Sequence, residues 1–302
     1  MAANSKIVDP LAVISDPVSA RVARSQKELF WRQFRKHKLA LVAAGVLLVL
    51  IALVMLAPWI APYEFDAIDP LHGRQPPSPQ HWLGTDDIGR DLYTRLLYGG
   101  RISLAIGIFS ALVGTGVGTL MGSIAGYYGK TIDNVIMRAT DVAFSIPSLP
   151  LLIILSAYAK SAVPVMILII GLLSWMSTAR IVRGTVLSVR ERDFTTAARA
   201  IGVRDARIIL RHILPNALAP IIVGATLGVG GAIIAESSLS FLGLGVQIPT
   251  PSWGNMLQDA QSTMSSKPWL TIFPGMAILI TVLGINFLGD GLRDALDPTL
   301  RS

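Results

Sequence analysis

Apolar residues in this chain are gathered into long runs. Residues 39–61, 102–128, 142–159, 161–179, 213–235 and 268–289 each contain no Asp, Glu, Lys or Arg. A helix needs about 20 apolar residues to cross a hydrocarbon core of about 30 Å, so each run is close to spanning length. The pattern predicts six transmembrane helices and an all-α integral membrane fold. Lys160 alone separates the third run from the fourth, which predicts a tight helical hairpin on the outer side. A seventh uncharged run, 237–258, holds Gly243, Gly245, Pro249, Pro251 and Gly254. Backbone breakers at that density do not suit lipid-exposed chain, so this run is predicted to be an external loop with short helices.

The polar stretches between the runs have patterns of their own. Residues 1–20 show little pattern and are expected to be mobile. From 25 to 38, Leu29, Phe30 and Phe34 share one helical face among basic residues, the pattern of a helix lying on a membrane surface. The external segment 62–101 ends in a predicted helix capped by Thr85 or Asp86, with Ile88, Leu92, Leu96 and Leu97 as its apolar face. Asp86, Asp87 and Asp91 lack the alternating oxygen ligands and terminal Glu of a calcium loop, so they are read as capping groups. Segment 180–216 holds eight Lys/Arg. Within it Ala197, Ala198 and Ala200 favour helix, Gly202 is a helix C-cap, and Asp205 precedes a second helical run through Ile208, Ile209 and Ile213. Pro215 and Asn216 then break the pattern before the next apolar run.

Inside the runs a few residues stand out. Gly114, Gly118, Gly122 and Gly126 recur every fourth position, forming a ridge on which another helix can pack closely, either within this chain or at a subunit interface. Asp141 follows Arg138 by three residues and is expected to pair with it. Glu236, beside Ser237 and Ser238, is a candidate pathway or gating group, or else an interfacial carboxylate facing water. Pro147 and Pro150 are expected to kink the third helix and shape a cavity.

Composition and charge narrow the function. Hydrophobic residues make up 52% of the chain and charged ones only 15%, a membrane composition. The net charge of +7 is explained by basic cytoplasmic loops, and no nucleic-acid recognition module accompanies it. Placing the N-terminus inside leaves only Arg74, Arg90, Arg95, Arg101, Lys160 and Lys267 outside among 26 Lys/Arg, which predicts both termini in the cytoplasm. The first run follows a long polar segment and is not a cleaved signal peptide. With no Cys, disulfides, thiolate metal sites and cysteine nucleophiles are excluded. The spans are poor in the carboxylates that an ion-coupled carrier or channel would need, and no intramembrane catalytic constellation is visible.

Four segments resemble one family. The 180–216 segment is similar to the EAA loop of binding-protein-dependent ABC importer permeases, matching it at Ala197, Ala198, Gly202, Leu214 and Pro215. Thr196 stands where the motif has Glu, so a salt-bridge role for that Glu does not carry over. LGTDDIGRD at 83–91, ESSLSFLGLGVQIPTPSWGNML at 236–257 and FLGDGLRDALDP at 287–298 resemble the dipeptide/oligopeptide subgroup.

The resemblance implies a type I importer permease in a bacterial plasma (inner) membrane. Its parts would be a cytoplasmic tail 1–38 with a surface helix, a first span 39–61, an external segment 62–101, a permease core 102–290 with coupling loop 180–216, and a cytoplasmic tail 291–302. It implies ATPase coupling through Thr196, Ala197, Ala198, Arg199, Gly202, Val203, Arg204, Asp205, Arg207, Leu214 and Pro215. It further implies a homologous second permease, one or two P-loop ATPase subunits and an external substrate-binding protein. The chain would be non-catalytic and without cofactors, since it has no GxxxxGK[ST] loop; ATP and Mg would sit in the ATPases. Family substrates include dipeptides, oligopeptides, glutathione, opines, sugars and nickel complexes.

Overall fold

A computed structural model describes residues 26–158 and 162–296. The expectations for residues 1–20, for the turn at Lys160 and for a stop at Pro298 lie outside these. The described residues form α1 (Gln26–Lys36), α2 (Lys38–Met55), α3 (Ala57–Ile60), α4 (Leu92–Tyr128), α5 (Lys130–Ser145), α6 (Ser148–Tyr158), α7 (Val163–Leu172), α8 (Trp175–Arg190), α9 (Asp193–Ala200), α10 (Asp205–Ile208), α11 (Leu214–Phe241), α12 (Trp253–Ala260) and α13 (Trp269–Leu296). A π-helical turn, Ile209–Ile213, joins α10 to α11, so Asp205–Phe241 runs as one helix.

Among the described residues, four helices are long and apolar enough to cross a membrane: Lys38–Met55, Leu92–Tyr128, Asp205–Phe241 and Trp269–Leu296. Two bent pairs raise the number of spans to as many as six. α5 and α6 meet at 83°, and α7 and α8 at 45°. The predicted run 142–159 straddles the first break, because Ile146 is extended ahead of Pro147, as the pre-proline residue prefers. The run 161–179 is cut at Leu173–Ser174, where the Ser174 hydroxyl donates to the Gly171 carbonyl at 2.9 Å. Both breaks fall inside charge-free sequence, so a count of apolar residues passes over them.

The long helix α4 also begins differently from the sequence expectation. Its N-cap is Asp91, which accepts from the Thr94 amide at 2.8 Å, rather than Thr85 or Asp86. Gly89 lies at φ +84°, a left-handed turn that places Ile88 before the helix. Asp86 Oδ1 instead accepts from the Ile88 and Arg90 amides within that turn.

α4 is the central strut. At Gly114, Gly118 and Gly122 an added Cβ would run into Ser174, the Trp175 carbonyl and the Ala179 carbonyl, and at Gly126 it would lie 2.8 Å from Val186. The glycine ridge is therefore occupied by α8 of the same chain. An apolar cluster of Leu47, Val54, Leu104, Ile233, Trp253 and Leu270 packs around the first half of α4, and one of Tyr127, Val182, Val186, Ala198, Ile208 and Ile213 packs at its last turn. α1 packs through Phe34 against Ala40 and Ala295, leaving Trp31, Arg32, Arg35 and Lys36 exposed.

We expect Gly122→Leu to force α4 and α8 apart, since overpacking of this kind costs about 1–3 kcal/mol. Gly116→Leu meets nothing within 4 Å and is expected to be tolerated. The thermal unfolding midpoint and the yield of monodisperse protein in mild detergent compare the two variants.

Candidate functional site

The basic segment after α8 folds as two short helices meeting at a glycine. α9 ends with the Gly202 amide donating to the Arg199 carbonyl at 3.0 Å and the Val203 amide donating to the Ala198 carbonyl at 3.1 Å. This pairing is a Schellman ending, and it needs the left-handed φ of +76° at Gly202. Ala198 is buried beneath α9, while Thr196, Ala197 and Arg199 are exposed. Thr196 returns its hydroxyl to the Arg192 carbonyl at 3.3 Å. Val203 is half-buried, Arg204, Asp205 and Arg207 are exposed, and Leu214 and Pro215 open α11. Ile201 at the corner is 81% exposed, an apolar tip between the exposed Arg199 and Arg204.

This segment is fastened to the C-terminal end of α4. Tyr127, next to last in α4, donates its hydroxyl to Asp205 at 2.6 Å, and the Arg199 guanidinium lies 5.6 Å from the same ring centroid. Arg190 donates to the Tyr127 carbonyl at 3.1 Å. Thr195 is fully buried and donates to the Val189 carbonyl at 3.0 Å. Sequence reasoning missed Tyr127 and Thr195. Tyr127 and Asp205 are 78 residues apart, and no local spacing announces their contact.

The candidate pathway residues scatter. Glu236 is fully buried. Its carboxylate accepts from Ser240 at 2.7 Å and from Ser103 at 3.1 Å, with Ser237 at 3.5 Å. Ser103 in turn accepts from the Trp253 amide at 3.1 Å. The group thus ties α11, α4 and α12 together, and it does not face water. Ser237 is buried. Ser238 is half-buried and donates its hydroxyl to the Ile234 carbonyl at 2.8 Å; both serines border an open hollow of about 380 Å³ with Phe241 and Leu242. Pro147 is exposed at the α5–α6 break.

Two charged groupings complete the picture. Asp141 pairs with Arg180 of α8 at 2.7 Å, not with Arg138, because α8 lies alongside α5 and supplies the nearer guanidinium. One level lower, Asp133 takes Arg183 in a two-pronged contact, with one prong at 2.6 Å. Around the start of α4, Asp86 meets Arg90 at 2.6 Å and Arg95 at 3.4 Å, and Asp259 of α12 meets both guanidiniums at 3.3 and 3.6 Å. Burial pushes the Asp259 carboxyl up from its ordinary range, and Arg95 and Arg90 draw it back down. The three close carboxylates Asp86, Asp87 and Asp259 are thus faced by two arginines.

Residues 118–302 match the family described as "binding-protein-dependent transport system inner membrane component", and residues 25–77 match the "N-terminal TM domain of oligopeptide transport permease C". The chain belongs to this permease family. It is 44% identical over 272 residues to the dipeptide transport system permease protein DppC of Alkalihalophilus pseudofirmus, with 90% of each chain covered. It is 45% identical over 276 residues to the glutathione transport system permease protein GsiD of Escherichia coli, again over 90% of each. Its fold is also that of a chain in an inward-facing structure of the MetNI methionine ABC transporter. That match has TM-score 0.54 and 20% identity, over 67% of this chain and 96% of the other. The permease is therefore an ABC-importer membrane component with several membrane-spanning helices.

Gly202→Val is expected to strain the α9 corner by roughly 1–2 kcal/mol, because a β-branched residue is held left-handed there. The space around it is empty, so the damage should be local. Limited proteolysis should cut at 201–204 faster while the global unfolding midpoint stays put. Glu236→Leu leaves buried hydroxyls without an acceptor, at about 1–3 kcal/mol each. We expect it to lower the unfolding midpoint clearly, with Glu236→Gln close to the parent.

Proposed function

We propose that this chain is a permease subunit of an ATP-driven importer for di- and oligopeptides or related small solutes such as glutathione. It pairs with a second, homologous permease to enclose the pathway, and an external binding protein delivers the solute to the outer loops. One or two kinds of P-loop ATPase subunit hydrolyse ATP, and this chain performs no catalysis and holds no cofactor. Both bent pairs count as spans in this reading. That gives six transmembrane helices with both termini in the cytoplasm of a bacterial cell, in accord with the distribution of Lys and Arg. The names of DppC and GsiD support the substrate class.

The observation that carries the coupling role is the fastening of the Asp193–Ile208 segment to α4 and α8. Exposed Thr196, Ala197, Arg199, Arg204 and Arg207 and the apolar tip Ile201 face away from the bundle, while Tyr127–Asp205 and Thr195–Val189 hold the segment from behind. A subunit seated on that exposed face would move the segment as a rigid body, and nucleotide-driven closure would reach the spans through it.

Purified from its own membranes in mild detergent, the chain is expected to bring with it a second permease and a P-loop ATPase. Reconstituted with the binding protein, the complex should take up radiolabelled dipeptide only with ATP inside. Reversing Arg204 and Arg207 to Glu should lower uptake at least tenfold while ATP hydrolysis continues. Uptake driven by an ion gradient alone, or normal uptake by the reversed variant, would overturn the reading.

A further inference from the structure

Asp141 and Arg180 form an ion pair whose side chains are 52% and 49% exposed. α5 and α8, which carry them, each belong to a bent pair of membrane-spanning length and composition. Along α8, Arg190 marks the inner end, since it binds the last carbonyls of α4. Arg180 lies ten residues back, about 15 Å along the helix at 1.5 Å per residue. That is up to half of a hydrocarbon core of about 30 Å. A half-exposed ion pair at such a depth is costly against lipid.

The pair also does not stand alone. On α5 the exposed residues include Asn134, Arg138, Asp141 and Ser145, at intervals of four, three and four. On α8 they include Ser177, Arg180, Gly184 and Ser188, at intervals of three, four and four. Each set is one stripe of a helix, and Asp141–Arg180 bridges the two. α2 shows Leu39, Val42, Val46 and Val49 at the same kind of spacing, which marks a lipid-facing stripe. The Arg180 guanidinium lies 4.3 Å from the Phe144 ring centroid, so it is held beside α5.

We propose that the α5 and α8 stripes line the water-filled path of the solute, and that Asp141 and Arg180 contact the charged ends of a zwitterionic peptide. The inference rests on the importer reading above and adds the site to it. The carboxylate receives the peptide ammonium and the guanidinium receives the peptide carboxylate. The two groups neutralise each other at 2.7 Å when no solute is present. Exchange of one partner for another of the same sign keeps the charges balanced as the solute passes. The pair thus selects against solutes lacking either terminal charge.

The absence of Cys from the chain makes the test direct. In the complete, nucleotide-free complex in proteoliposomes, Ser145→Cys and Ser177→Cys are exposed to a charged methanethiosulfonate reagent, and labelling of this chain is read by mass spectrometry. Both should react at least tenfold faster than Val49→Cys on the α2 stripe. Labelling as slow as at Val49 would overturn the path assignment and mean that lipid or a partner subunit covers the face. Alanyl-alanine added from the coupling-segment side should slow labelling of Ser145→Cys several-fold, whereas N-acetyl-alanyl-alanine amide should not. Asp141→Asn or Arg180→Gln in the Ser145→Cys background should remove the protection. Equal protection by both peptides, no protection by either, or protection that survives both substitutions would overturn the contact. ATP-dependent dipeptide uptake by the unaltered complex is read separately. Its failure removes the peptide reading, and the reactivity of the two stripes still reports whether the path is there.

Discussion

The close approach of α4 to α8 is the constraint on which the other contacts depend. Four glycines remove every side chain from one ridge of a 37-residue helix, and the α8 backbone moves into that space. Only at that separation can Arg190 reach the last carbonyls of α4 and Tyr127 reach Asp205. The placement of α8 in turn sets the level at which Arg180 and Arg183 meet the carboxylates of α5. A membrane gives no hydrophobic drive for helices to associate, so packing of small residues and buried polar contacts has to supply it.

Polar groups divide by where they sit in this frame. Toward the start of α4, Glu236 and the Arg90–Arg95 cluster are buried and engaged, and they bind α4, α11, α12 and the segment before α4 into one unit. Toward its end, the segment after α8 keeps its buried residues for attachment and turns its charged ones away from the bundle. On the face shared by α5 and α8, Asp141 and Arg180 are paired and half-exposed together.

How much of this was legible in the sequence follows from the range of each interaction. The apolar runs and the glycine end of α9 are local signals, and they were readable because hydropathy and backbone handedness act over a few residues. The glycine ridge announced a close contact but not its partner, since spacing says nothing about what fills a groove. The breaks at Ile146–Pro147 and Leu173–Ser174 were hidden inside charge-free runs. Pro147 pointed to a kink, but only the packing of α5 along α8 turns it into a bend of 83°. Asp141 was assigned to the arginine three residues away, although its partner is 39 residues distant. Glu236 read as a pathway group because ionisable residues in spans usually are functional; its hydroxyl partner Ser103 lies 133 residues off. Long-range partners are what a single sequence does not show.

The uninterrupted helix from Asp205 to Phe241 makes a stiff lever of about 55 Å. One end is the exposed corner between α9 and α10, and near the other end Glu236 accepts from Ser103, which accepts from the first amide of α12. The helix runs on through one π-helical turn at Ile209–Ile213 and through Pro220 without a break. Tilting at one end must therefore reappear at the other with opposite sense, as in a seesaw. A push on the corner between α9 and α10 and a shift of α12 are two ends of the same displacement.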